Sequence, residues 1–492
     1  MNERHAQLFV LAGAWLSLVA FVIGGSILLP PEKKLSDASP ALLYKIALND
    51  TSESGAVPTG EGRMLIADIE QMQLSLFEDG RLIKSFPILS KGRPGTPWET
   101  PTGSYLVQTK EESHYSSIGG TWMPYSMQFY GNFFIHGWPT YKNGKQVPIG
   151  YSGGCIRLST NDARELYEFT PRGARLVVLG DVRTKEFATS SRFYLRGEGM
   201  PPLITATSFV VADIDSGKVL WERNALLPAK PEGLTLLATA LTALETVNQY
   251  KVVRMSEVLM GRAVLRKYAI GTIDEMPVGT LIYPLFFDGN DTAAQVFARE
   301  HGTKQFVSYM NEKSGAIGMT HTVFGGADSS SESTTTARDI MTLLSYVEAR
   351  KHFLIDVSLA PNKLLTDEDG EERFYWINKN PWIISGDGAF RGGIADINPL
   401  GGGNAAVLFE LPVSEFGSRT IAFVILNSES IEKDIWELRR FVEEHFVYGI
   451  ERVEPLFVRE ENEPTPNILH RIRGVLNLER WMSNTSNETS DI

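Results

Sequence analysis

Cys155 is the only cysteine in the chain. It lies in Tyr151-Ser-Gly-Gly-Cys-Ile-Arg-Leu158, downstream of Ile135-His136-Gly137. Exported proteins tend to keep cysteines in pairs, so a lone thiol preceded by two glycines, with a histidine upstream, points to a nucleophile rather than a staple. The competing reading is a buried structural thiol, since free cysteine is among the most buried residue types. The chemistry accounts for the pattern. A thiol attacks best as thiolate, and a nearby imidazole can take its proton. Gly153 and Gly154 leave the backbone uncovered, so a carbonyl can approach the sulfur while backbone N–H groups meet the developing oxyanion. The same histidine can return the proton to a leaving amine, as acyl transfer requires.

These residues need elements to hold them. Met64–Ile69 and Gln73–Phe77 alternate like strands, and Glu78-Asp-Gly80 before Leu82-Ile83 is a hairpin signal. Gly131–Ile135 reads as a strand ending at His136. Asn161–Glu168 reads as a helix and Ala174–Leu179 as a last strand. The order predicts a mostly-β domain with His136 at a strand end and Cys155 on a loop entering a helix.

At these positions the chain resembles the L,D-transpeptidase catalytic domain of bacterial cell-wall enzymes. The resemblance covers 62–181. It rests on His136-Gly137, a spacer to Ser152, and Gly153-Gly154-Cys155-Ile156-Arg157-Leu158. Further motifs are Gly92-Arg-Pro-Gly95, Thr100-Pro-Thr-Gly103 and Trp122–Phe129. Gly153 stands where many members carry a second histidine. The resemblance implies that Cys155 attacks the L-centre-to-D-alanine bond of a tetrapeptide stem, with His136 as acid/base. The acyl group would pass to a neighbouring stem's amine, forming a 3–3 crosslink. It places Gly137, Ser152, Gly154 and Arg157 on the substrate-binding surface, with N–H groups near Gly154 and Cys155 as oxyanion donors. Arg157 either orients the loop or meets a substrate carboxylate; the alternative is a structural salt bridge. His114 reads as a solvated loop residue.

Across 203–449 the resemblance changes to D-alanyl-D-alanine carboxypeptidases of the α/β penicillin-binding-protein and serine β-lactamase fold. It is carried by Ala212–Leu220, Met310-Asn311, Gly318–Phe324 and Ser333–Asp339. That family needs Ser-x-x-Lys at a helix start. Here the helix start reads Gly233-Leu-Thr-Leu236, so nucleophile and base are both replaced. The second motif reads Asp288-Gly-Asn290 and the third Arg391-Gly-Gly393. The expectation is a domain without serine chemistry. Asn290 and Arg391 could still hold a stem peptide, or the domain is structural or docks a partner.

Ala6–Leu29 carries no charged residue and is long enough to cross a bilayer as a helix. Without an Ala-x-Ala cleavage site, 1–29 is expected to be an uncleaved single-pass anchor in the cell membrane, with the catalytic part in the periplasm or extracytoplasmic space. Residues 30–61 read as a linker. Residues 450–492 read as a linker, an amphipathic helix around Ile468–Leu476 and a polar tail. A net charge of −12 argues against nucleic acid as a partner. Neither a cofactor loop nor a metal-ligand cluster is evident. Three function classes stay open: a transpeptidase, a hydrolase or other acyl transferase on the same thioester, and a non-catalytic wall-binding protein.

Overall fold

The computed structural model describes residues 62–180, 191–195, 201–255, 274–366 and 372–450. The expected anchor and linker at 1–61, and the helix and tail beyond 450, lie outside them. No described helix is long and apolar enough to cross a membrane.

The first domain stacks two sheets around one core. One sheet has the order β3-β2-β1-β10-β4, from Arg63–Asp68 (β1), Gln73–Glu78 (β2), Arg81–Pro87 (β3), Gly103–Leu106 (β4) and Arg175–Leu179 (β10). The β2–β3 hairpin turns at Asp79 and Gly80, both with positive φ, the geometry that a tight two-residue hairpin demands. The other sheet runs Thr109–Ser116 (β5), Thr121–Tyr130 (β6), Phe133–His136 (β7) and Ile156–Arg157 (β9), with Thr140–Tyr141 (β8) on β6. Leu65, Leu74, Leu76 and Phe86 from one sheet meet Met127, Phe129, Ile135 and Ile156 from the other in a single buried cluster. Alternating in and out along each strand supplies that face, as the pleat requires. Helix α1 (Thr160–Phe169) follows β9. Its cap is Ser159, whose hydroxyl accepts from Asp162 N.

The second domain is built on a seven-stranded, mostly antiparallel sheet. Its strands are Ser191–Leu195 (β11), Ser208–Asp213 (β12), Val219–Arg223 (β13), Phe390–Ile397 (β18), Gly403–Ser414 (β19), Gly417–Ser428 (β20) and Phe446–Ile450 (β21). β11 therefore joins this sheet from outside the 203–449 span. Two hairpins complete the strands, Val252–Met255 with Asp274–Pro277 (β14, β15) and Asn362–Thr366 with Glu372–Ile377 (β16, β17). Val210, Ala406, Leu408 and Val424 face helices α2 (Thr235–Thr246), α3 (Ile282–Asp288), α4 (Asp291–His301), α5 (Thr303–Ala316), α6 (Ala337–Arg350) and α7 (His352–Leu359). Their strand neighbours Phe209, Val407, Phe423 and Ile425 face the short α8 (Pro381–Ile384) and α9 (Ile431–His445). Helix α2 is buried along its whole length, so it forms the domain's centre. Each domain has its own core, and Ala316 at the end of α5 packs into that of the first.

Candidate active site

β7 and β9 are parallel neighbours in the register Ile135↔Ile156 and His136↔Arg157. Ile135 and Ile156 point into the core and are fully buried. With a side-chain period of two, Phe134, His136, Cys155 and Arg157 then share the opposite face. Strand pairing thus brings the two residues singled out for chemistry to one face, although 137–154 separates them in sequence. Cys155 enters β9 directly, so a two-residue strand, not the helix, receives the loop; α1 starts only at Thr160.

The His136 ring is buried, and its Nδ1 lies 2.6 Å from the carbonyl oxygen of Gly137. A carbonyl only accepts, so Nδ1 carries the proton and Nε2 is left as the basic nitrogen. Burial drives the imidazole pKa down to about 4, with Arg157 and His114 adding to the fall and the Gly137 carbonyl opposing it. The Cys155 thiol is pushed up, chiefly by burial, while a Phe134 backbone hydrogen bond and Arg157 work the other way. Both charged forms are disfavoured, so the resting pair is a neutral thiol and a neutral imidazole. An ion pair at rest, the usual way to activate cysteine, does not fit this environment. The thiol itself points to the Asn132 carbonyl, 3.7 Å away.

The nucleophile loop is tied from inside. Ser152 Oγ donates to the Cys155 carbonyl at 2.6 Å and accepts from Gly154 N at 3.0 Å. Thr100 Oγ1 donates to the Gly154 carbonyl at 2.9 Å and accepts from Gly92 N at 2.9 Å. Gly154 has φ +106°, and a Cβ there would stand 2.2 Å from the Phe133 ring. A Cβ on Gly92 would stand 2.0 Å from the Trp98 carbonyl and 2.9 Å from Gly154 Cα. Gly153 faces open space, so the histidine common elsewhere has room here.

Several expectations change. Ser152 is buried and its hydroxyl is spent on the turn, so it shapes the loop and is not placed to meet substrate. The Gly154 N–H goes to Ser152, which leaves the Cys155 N–H as the oxyanion donor to be tested. Gly137 gives its N–H to Pro124 O and its carbonyl to His136, a positioning part. Arg157 has no ion pair among the described residues. Its guanidinium lies over Trp138, 5.7 Å from the ring centroid. His114 is on strand β5, bonded to Glu111 and stacked on Phe134 at 4.7 Å, so it borders the site and is not on a loop. Asn132, Thr100 and Phe134 were not visible as site residues in the sequence; only Thr100 belonged to a motif.

In the second domain, α2 begins beside Gly233, as expected for the Ser-x-x-Lys helix. The Gly233 N–H donates to Asp396 Oδ2 at 2.8 Å, and a Cβ on Gly233 would stand 2.5 Å from Asp396 Cβ. Asp396, and not Arg391, therefore lies against Gly233. Arg391 Nε donates to Glu410 at 2.7 Å and its Nη1 to the carbonyls of Gly388 and Phe390. Asn290 caps α4, its Oδ1 accepting from Ala293 N at 2.9 Å. Both side chains that were candidates for holding substrate are committed locally.

Comparison with known proteins follows the same division. Residues 62–179 match the L,D-transpeptidase catalytic domain, and residues 197–392 match the D-alanyl-D-alanine carboxypeptidase family. No curated protein matches the chain. Among solved structures, D-alanyl-D-alanine carboxypeptidase from Mycobacterium tuberculosis is 18% identical over 49% of this chain and 91% of its own, with a TM-score of 0.40. Penicillin-binding protein D2 from Listeria monocytogenes in its ampicillin-bound form is 19% identical over 50% and 98%, at 0.40. Penicillin-binding protein 6B from Escherichia coli is 20% identical over 50% and 80%, at 0.39. Two peptidoglycan-enzyme families thus meet in this chain, an L,D-transpeptidase domain followed by a domain of the D-alanyl-D-alanine carboxypeptidase type.

Proposed function

We propose that the chain is a cysteine L,D-transpeptidase that forms 3–3 crosslinks between peptidoglycan stems, and that its second domain has no serine chemistry. The observation that carries the reading is the shared face of β7 and β9. It bears Cys155 and a His136 whose Nδ1 is held by Gly137, with Nε2 left for proton transfer.

In the first half-reaction, Cys155 Sγ bonds to the carbonyl carbon of the L–D bond as its proton passes to His136 Nε2. The C–N bond then breaks, and the D-alanine amine leaves with that proton. A stem amine next attacks the thioester, its proton travels through His136, and the sulfur leaves as a thiol again. The neutral resting pair suits this order, because charge appears only once a carbonyl is present to receive it. A preformed thiolate at pH 7 would be open to unproductive attack by other electrophiles.

The inactive second domain is supported by two replacements and one occupancy. Glycine cannot attack, Leu236 cannot take a proton, and Asp396 fills the space a side chain at 233 would need. Residues 1–29 as a single-pass anchor, with both domains outside the cytoplasm, fit the location of the substrate.

The test is incubation with purified disaccharide-tetrapeptide, weighing the products by mass spectrometry beside Cys155→Ala. The expected result is a Cys155-dependent dimer that has lost one D-alanine. A tripeptide without dimer would replace the transferase by a hydrolase. A product that persists in Cys155→Ala, or loss of a D-alanine from a pentapeptide, would restore a working second domain.

A further inference from the structure

We propose that the second domain braces the Cys155 site: it holds the two backbone segments that flank the thiol, Pro97–Thr100 through Lys351 and Gly131–Asn132 through the end of helix α2. The proposal rests on the cysteine-transferase reading above for its kinetic consequence, but not for its geometry.

One flank is Asn132. Its carbonyl accepts the Cys155 thiol, and its side-chain amide donates to the Thr246 carbonyl at 2.7 Å. Thr246 ends α2, where the last carbonyls of a helix have no partner of their own. The Thr246 carbonyl is shared, at 2.7 Å each, between Asn132 of the first domain and His301 Nε2 of α4. Gly131 lies so close that a Cβ there would stand 2.8 Å from Thr246 Cγ2.

The other flank is the loop around Glu99. Lys351 Nζ donates to the Glu99 carbonyl at 2.8 Å. The next residue, Thr100, is the one whose hydroxyl holds the Gly154 carbonyl beside the nucleophile. Trp98 in the same loop stacks on Tyr250 of the second domain at 5.9 Å. Each chain of contacts thus runs from the second domain to within one residue of Cys155 or to its sulfur.

The brace is anchored by buried charge. Glu245, on α2, lies 3.0 Å from Lys313 and 3.6 Å from Lys351, and all three are nearly inaccessible to water. Lys313 also donates to Tyr105 OH of the first domain at 3.0 Å and to Tyr346 OH at 2.7 Å. Burial pulls the Lys313 pKa down to about 8 and that of Lys351 down as well, while Glu245 holds both up. Two cations on one carboxylate are costly to bury unless their remaining donors are satisfied, and here Tyr105 and the Glu99 carbonyl of the first domain satisfy them together with Tyr346. A lysine serving only its own domain would have no need of the Glu99 carbonyl.

The experiment uses the full chain. Because Cys155 is the only cysteine, alkylation by iodoacetamide followed by mass reports on that thiol alone. Lys351→Met removes one arm; Asn132→Ala, at an exposed position, removes the other. Folding of each is checked by circular dichroism and melting. The expected result for each folded variant is kcat on tetrapeptide lower by roughly ten- to a hundred-fold with KM within about two-fold, since small misplacement of reacting groups acts on the chemical step. The pH midpoint of alkylation should also fall by about half a unit, as a loosened loop admits water to a thiol that burial holds up. A role limited to stability would lower the melting temperature and move neither readout. If wild type makes no transfer product, the transferase reading fails and the alkylation profile still decides the brace. Unchanged midpoints in both folded variants would overturn it.

Discussion

Gly154 and Gly233 mark the two places where this chain could attack a peptide, and packing treats them in opposite ways. At Gly154 the space a side chain would take is filled by the Phe133 ring, which fixes the backbone beside a half-buried Cys155. At Gly233 the space is filled by Asp396, a carboxylate that takes the N–H at the helix start. In the carboxypeptidase pattern that is where the nucleophile would stand. The same residue type serves approach in one domain and closure in the other. On the proposed reading the second site is filled as well as altered in sequence, so reversing the sequence change alone would not reopen it.

The largest expected effect puts that contrast to the test. His136→Ala should lower kcat/KM for crosslinking by about 10²- to 10⁴-fold, the usual contribution of a general acid/base. The double change Gly233→Ser with Leu236→Lys should yield neither D-alanine release from pentapeptide nor a covalent penicillin adduct in intact-mass spectra. It should also lower stability, because the new Cβ meets Asp396. A penicilloyl adduct on the double variant would show that Asp396 yields easily, and would remove closure as the explanation.

Why one site was legible and the other only by its losses follows from distance in the chain. Cys155, His136 and the glycines between them fall in one short stretch, and their residue types are set by chemistry, so order and spacing exposed them. Strands β1, β2, β7 and β10 were legible from alternation and the Glu78-Asp-Gly80 signal, and α1 from Asn161–Glu168, while the Ser159 cap that starts it at Thr160 came from the structure. Asp396 comes far downstream of Gly233, and no local pattern links them. The same holds for Lys351 and the Glu99 carbonyl. Asn290 could have been recognised from sequence: an asparagine just after Gly289 and before Asp291 and an alanine-rich run is a helix-cap signal. Arg391 is different, since nothing local announces Glu410 as its partner across a strand pair.

A smaller effect separates two adjacent glycines. Gly154→Ala should cost about 3 kcal/mol in chemical denaturation, because φ +106° disfavours any side chain and the Phe133 ring stands in the way. Gly153→His should stay within about 0.5 kcal/mol of wild type, since nothing lies near its Cβ direction. Equal losses at both positions would mean that the loop is held by its hydrogen bonds alone and not by the Phe133 contact.

The smallest effect concerns pH and again sets the open site against its surroundings. His136 is held well below the ordinary histidine value in the folded chain, at about 4, because burial penalises the imidazolium. The unfolded chain takes up the proton first, near the ordinary value of about 6.5, so it gains protons over the folded state as pH falls. Stability from this group is therefore complete above about pH 6.5 and is lost progressively as pH drops toward 4. By pH 5 the loss should be about 2 kcal/mol relative to pH 7.5. His136→Gln removes the titrating group, so the difference between the two denaturation curves isolates it from the carboxylates that titrate in the same range. Parallel curves would mean that the ring gains its proton in the folded state as readily as in water. The neutral resting pair would then fail, and an imidazolium beside Cys155 would take its place.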